Sequence, residues 1–89
     1  MANIRSQIKR NRQNEDRRVR RKGVRSAIRT RSQNALVAAR GGDRDKAMEL
    51  LELAQQRIDT AAAKGVLHPN TAARRKSRLT RQVESLLSS

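Results

Sequence analysis

The 89-residue chain has no Phe, Trp or Tyr and no Cys, and it has one His and one Pro. Without aromatic rings there is no platform for stacking bases, which excludes the stacking readers of single-stranded nucleic acid. Without Cys there are no disulfides and no thiolate metal site, and His68 has no second His with which to share a metal. Long apolar runs are missing as well. Nothing approaches the roughly 18 consecutive apolar residues of a membrane span, and the N-terminus has no apolar segment of the secretory-signal kind. No β-branched alternation runs for even five residues, so strand signals are absent. Acid is scarce: 8 Asp and Glu stand against 22 Lys and Arg, for a net charge of +14.

What fills the chain instead is arginine, which makes up 17 of the 22 basic residues. A charge surplus this large repels itself in isolation and is stabilised by a polyanion. The planar guanidinium fork bonds two phosphate oxygens at once, which a lysine cannot do. Hydrophobic residues are 35% of the total and many are Ala, so the chain makes one small domain that is short of core.

Charge is distributed in three blocks. Residues 1–40 carry 13 basic and 2 acidic residues, residues 41–63 carry 3 and 5, and residues 64–89 carry 6 and 1. The breaks between blocks coincide with turn signals. Gly41-Gly42 ends the first segment, and Asp43 is suited to cap a new helix with its carboxylate. Lys64-Gly65 ends the second, with Gly65 where a helix C-terminus requires a left-handed residue and Val66 beside it for the accompanying apolar contact. His68 then caps a third helix that opens with Pro69 at its first position. The expected elements are helices over 4–40, 43–64 and 69–87.

Apolar residues repeat at helical spacing within each segment. The second helix has a stripe of Ala47, Leu50, Leu51, Ala54, Ile58, Ala61 and Ala62, with Asp45, Glu49, Glu52 and Asp59 opposite. The third has Ala72, Leu79, Val83 and Leu86, with Arg74, Arg78 and Arg81 on the reverse face. The first has Val24, Ile28, Ala35 and Ala38 in its second half only, and Arg17 and Arg21 occupy the same line upstream. The chain is therefore all-α: a three-helix bundle (23–89) with a long first helix whose basic arm (1–22) protrudes.

In residues 9–22, KRNRQNEDRRVRRK, 8 of 14 positions are Lys or Arg and Val19 is the single aliphatic side chain. A first helix of about 37 residues would be roughly 55 Å long, against about 30 Å for the other two, so it must overhang them. A helix that is polar all round is not stabilised by its own packing. Arg12–Asp16 and Asp16–Arg20 offer i,i+4 pairs along it, while Gly23 weakens the helix by about 1 kcal/mol where arm meets bundle. The arm is expected to fray alone and to become helical on a polyanion.

Arg18, Lys22, Arg25 and Arg29 form an i, i+4, i+7, i+11 ridge that runs from the arm onto the bundle. A membrane-surface helix would need an apolar face with Leu or aromatic anchors, and the arm has none. A leucine-zipper basic region would need a Leu heptad after it, which Arg31, Ser32 and Gln33 interrupt. A rod lodged among nucleic-acid backbones, reading shape and phosphate, fits better. On pattern alone, Arg74, Arg78 and Arg81 suit either a phosphate face or simply the wet side of a helix. The acidic residues of the second helix lie where they solvate, and Gly41-Gly42 lacks the Lys-Ser/Thr of a phosphate-cradling loop. Nothing resembles a catalytic, cofactor or metal site, and no small-molecule substrate is implied.

Several stretches resemble one family. Ala2-Asn3-Ile4-Arg5-Ser6 looks like the N-terminal signature of the bacterial small-subunit ribosomal protein S-twenty family. Ser26-Ala27-Ile28-Arg29-Thr30 is similar to its mid-helix block, and Gly42-Asp43 to its first turn. The most specific likeness is Lys64-Gly65-Val66-Leu67-His68-Pro69-Asn70-Thr71-Ala72-Ala73-Arg74-Arg75-Lys76-Ser77-Arg78-Leu79. The start is Arg-rich and acid-poor like an organelle transit peptide, but a resemblance beginning at Ala2 leaves no room for one. Two positions depart from the family: Pro69 replaces a usually basic residue, and Arg31-Ser32 replaces usually apolar ones, so a thinner core is expected there.

The resemblance implies a monomer within the assembled small ribosomal subunit, located on the cytoplasmic ribosome, that binds small-subunit ribosomal RNA directly during assembly. The expected RNA contacts are Asn3, Arg5, Ser6, Lys9, Arg10, Arg12, Arg17, Arg18, Arg21, Lys22, Arg25 and Arg29 in the first helix. Lys64, His68, Asn70, Arg74, Arg75, Lys76, Arg78 and Arg81 complete the set. Two other readings stand beside this one. A DNA-compacting nucleoid protein would bind duplex DNA as well as structured RNA. A helical adaptor using the acidic second helix would bind its partner with little dependence on salt.

Overall fold

A computed structural model describes the backbone of residues 2–88 and the side chains of residues 4–88. Three helices follow one another: α1 (Ala2–Arg40), α2 (Arg44–Ala63) and α3 (Pro69–Ser88). The expected boundaries hold to within two residues, with Asp43 and Lys64 standing as caps just outside α2.

Both turns are built by glycine and the carbonyls it frees. At the first, Gly42 has φ +77°; its N–H donates to Ala39 O, and the Asp43 N–H donates to Ala38 O. This is the Schellman arrangement, which satisfies carbonyls that the end of a helix would otherwise leave open. Asp43 then starts α2, its Oδ1 accepting from the Lys46 N–H at 3.2 Å. One residue thus closes α1 and caps α2. Gly65 repeats the device with φ +78°, its N–H on Ala62 O and the Val66 N–H on Ala61 O.

The two helix-joint glycines should respond to alanine in opposite directions. Gly65→Ala forces a side chain into left-handed backbone and should destabilise the bundle by about 1–2 kcal/mol. Gly23 lies inside α1, and a Cβ there meets nothing within 4 Å. Gly23→Ala should therefore stabilise the helix by about 0.5–1 kcal/mol. Urea unfolding followed by circular dichroism measures both. Shifts of the same sign would contradict this account of the turns.

The core forms two clusters. Ala35, Ala39, Ala47, Leu51, Ala54, Leu79 and Val83 bury one, nearest the α1–α2 turn. Ile28, Ile58, Ala61, Leu67 and Ala72 bury the other, nearest the α2–α3 turn. The stripes read from α2 and α3 are the ones that pack. In α1 one correction applies: Ala39 is the fully buried residue near the end, with Ala38 half-buried against the same cluster; in the connection before α3, Leu67 is also core. Ala39 continues the line of Ile28 and Ala35 at i+7 and i+11, closer to it than Ala38. The clusters separate where Arg31 and Ser32 stand half-buried on the α1 seam. A polar residue there cannot supply the apolar surface that Ile28 and Ala35 supply on either side.

Upstream of the seam, every described side chain from Ile4 to Lys22 is exposed. The molecule measures 65 × 22 × 15 Å with a radius of gyration of 17.6 Å. A compact chain of this length has about 12 Å, and the difference is the protruding arm. α1 is one continuous helix to its N-terminal end, where fraying was expected for the isolated arm. Arg, Lys, Gln and Glu are good helix formers, so the arm's composition supports the helical form even though nothing in the chain packs on it.

Candidate nucleic-acid interface

The arm carries its cations on all sides of a rod. Arg5, Lys9, Arg10, Arg12, Arg17, Arg21 and Lys22, together with Ser6, are all exposed. The Asn3 side chain lies outside the described residues. Among the described residues the arm has one ion pair, and it is neither of the expected i,i+4 pairs. Arg18 donates from Nη2 to Glu15 Oε1 at 2.6 Å and from Nε to Oε2 at 3.2 Å. The bidentate fork favours Glu15, three residues away, over the Asp16 pairs expected from i,i+4 spacing. The hydrogen bonds from Arg18, aided by its charge, hold the Glu15 carboxyl below its ordinary pKa, and Glu15 raises that of Arg18 in turn. Arg18 is thus the one ridge cation that already has an anionic partner.

On the bundle, basic residues of α3 line two surfaces, with Arg78 shared between them. Arg74, Arg78 and Arg81 line the outer face of α3 with Ser77. Arg75 and Arg78 turn toward α1, where they face Arg25 and Arg29 across a groove of about 380 Å³. Ser32, Gln33 and Gln82 also reach this groove, and Ile28 and Leu79 form its floor. The sequence shows each ridge, but it carries no signal that the two converge, nor that the amides of Gln33 and Gln82 join them.

Lys76 differs from its neighbours. Its Nζ lies 2.7 Å from Asp59 Oδ1, which ties α3 to α2. One turn away, Gln55 Nε2 donates to Thr80 Oγ1 at 2.8 Å. The α2–α3 seam is therefore cross-linked by polar pairs, and both Lys76 and Asp59 are occupied within the fold. Asp45, Glu49 and Glu52 remain exposed along α2.

The connection before α3 is built as the sequence predicts. His68 Nδ1 accepts from the Asn70 N–H at 3.1 Å, and His68 O accepts from the Ala72 N–H at 3.0 Å. His68 is thus a helix cap, and Pro69 occupies the first helical position without leaving a donor unpaired. Lys64 caps α2 through its backbone, and its side chain and that of Asn70 are exposed beside the turn. No group of three or more metal-ligating side chains occurs among the described residues. No described helix is long and apolar enough to cross a membrane.

This arrangement can bind phosphate over a long, irregular surface. It offers an exposed cationic rod, a basic groove and a basic helix face, with exposed carboxylates concentrated on α2.

Comparison with known proteins gives a consistent result. The family described as Ribosomal protein S20 matches residues 2–84. The chain is 52% identical over 85 residues to the small ribosomal subunit protein bS20 of Salinispora tropica, covering 96% of this chain and 97% of that one. It is 50% identical over 86 residues to the protein of that name from Mycolicibacterium smegmatis, covering 97% and 100%. With the one from Nocardia farcinica it shares 53% over 79 residues, covering 89% and 92%.

Proposed function

The chain belongs to the ribosomal protein S20 family, and from that premise we propose that it is a structural, non-catalytic constituent of the small ribosomal subunit that binds small-subunit ribosomal RNA directly. Its place is then the cytoplasmic ribosome, as one copy per particle, holding RNA segments together as the subunit assembles. The observation that carries this reading is the arm: residues 4–22 are exposed throughout and carry nine Lys and Arg around the helix, with Ile4, Ile8 and Val19 as the only large apolar side chains among them. Phosphates around such a rod would neutralise its mutual repulsion and stabilise it. The absence of aromatic rings fits recognition by shape and backbone rather than by base stacking.

Orientation follows from charge. The arm and the α1 and α3 ridges face RNA, while Asp45, Glu49 and Glu52 on α2 would be repelled by it, so α2 faces away from most of the RNA. Hydroxyl-radical probes tethered at exposed positions of each helix test this in reconstituted particles. Cuts are expected from probes on the arm, at Ser26 and at Ser77, and few from a probe at Glu49. Strong cleavage from α2 with none from α1 or α3 would reverse the assignment.

A further inference from the structure

The groove between α1 and α3 combines three features. Its walls come from different helices, each presenting two guanidinium groups: Arg25 and Arg29 on one side, Arg75 and Arg78 on the other. No carboxylate lines it, whereas the depression between α2 and α3 contains Asp59 bound to Lys76. It also lies where the core divides, with half-buried Ser32 on the α1 seam. Four like charges lining one groove repel one another in the free protein, across the α1–α3 seam. An anion between them removes that repulsion.

We propose that this groove is a clamp for one RNA strand, whose phosphates are gripped from both walls at once, so that RNA binding and the packing of α1 on α3 are coupled. The proposal deepens the RNA-binding reading above and rests on it. A single backbone suits the place, because arginines from both helices line one narrow groove. The guanidinium forks match phosphate oxygens two at a time. Ile28 and Leu79 beneath them provide an apolar floor for the sugar. The arm, by contrast, touches phosphates independently, because no second helix faces it.

The test is a double-mutant cycle on binding of the full chain to folded small-subunit ribosomal RNA at moderate salt. Arg29→Gln and Arg78→Gln each remove one guanidinium from one wall, and Arg10→Gln is the arm control; all three side chains are exposed, and circular dichroism checks that the fold is kept. Each single change should weaken binding about fivefold. The Arg29→Gln/Arg78→Gln pair should depart from the product of its singles by more than about threefold, while Arg10→Gln with Arg78→Gln should multiply to within about twofold. A short single-stranded RNA oligonucleotide should raise the melting temperature of the unmodified protein more than that of the two-wall variant, which keeps the arm. Simple multiplication across the groove, or an equal melting shift in both proteins, overturns the clamp. If the unmodified protein fails to bind the folded RNA at all, the RNA-binding reading itself falls, and the clamp with it.

Discussion

Doubling the salt concentration is expected to weaken binding of this protein to folded small-subunit ribosomal RNA by about two orders of magnitude. If the arm and ridges neutralise about eight phosphates, release of condensed counterions gives a log–log slope of about −6 to −7. Replacing Arg25 or Arg21 by Gln should flatten that slope by about 0.7–0.9 each. Arg18→Gln should flatten it less, because the Arg18 guanidinium is already shared with Glu15 at 2.6 Å. Glu15→Gln should do the reverse, freeing Arg18 and removing a repelling charge, so it should tighten binding and steepen the slope. Binding measured by filter retention across a salt series decides all four. A slope near zero would point to a protein partner, and equal affinity for random duplex DNA to a DNA-compacting role.

The second large effect concerns the core. Ile58→Ala should destabilise the free bundle by about 2–5 kcal/mol, the range for deleting a buried aliphatic side chain without full collapse of the cavity. Ile58 is 1% exposed, and its cluster contains only two other large side chains fully covered by the fold, Ile28 and Leu67. A domain of this size has about 5–13 kcal/mol of stability in total, so the loss is a large share of it. RNA binding should weaken through unfolding of the platform, while the salt slope per bound molecule stays unchanged, since no phosphate contact is lost. Excess RNA should restore the folded state by mass action. Urea unfolding followed by circular dichroism measures the change. A loss below about 1 kcal/mol would mean that the two clusters do not form a cooperative core.

The number of helices, their ends and their buried faces were legible in the sequence because each depends on neighbours a few residues apart. Gly42 and Gly65 adopt the left-handed backbone that their places after α1 and α2 demand. Asp43 and His68 cap through atoms two or three residues from the N–H they accept. The stripes of α2 and α3 follow the helical period over spans short enough that error does not accumulate. The exposed basic arm was equally plain, since the apolar stripe of α1 begins only at Val24.

Tertiary structure decided what depends on how one helix is rotated against another. It draws Leu67 into the core, because a residue in a connection has no helical period to place it. It gives Lys76 to Asp59, 17 positions away, although its neighbours Arg75 and Arg78 look interchangeable with it in sequence. It brings Arg25 and Arg29 opposite Arg75 and Arg78, although the two pairs are separated by the whole of α2. Charge, periodicity and capping are properties of a segment and can be read along it. Which charges share a groove is fixed by side chains distant in the chain packing together, and the fold alone supplies that.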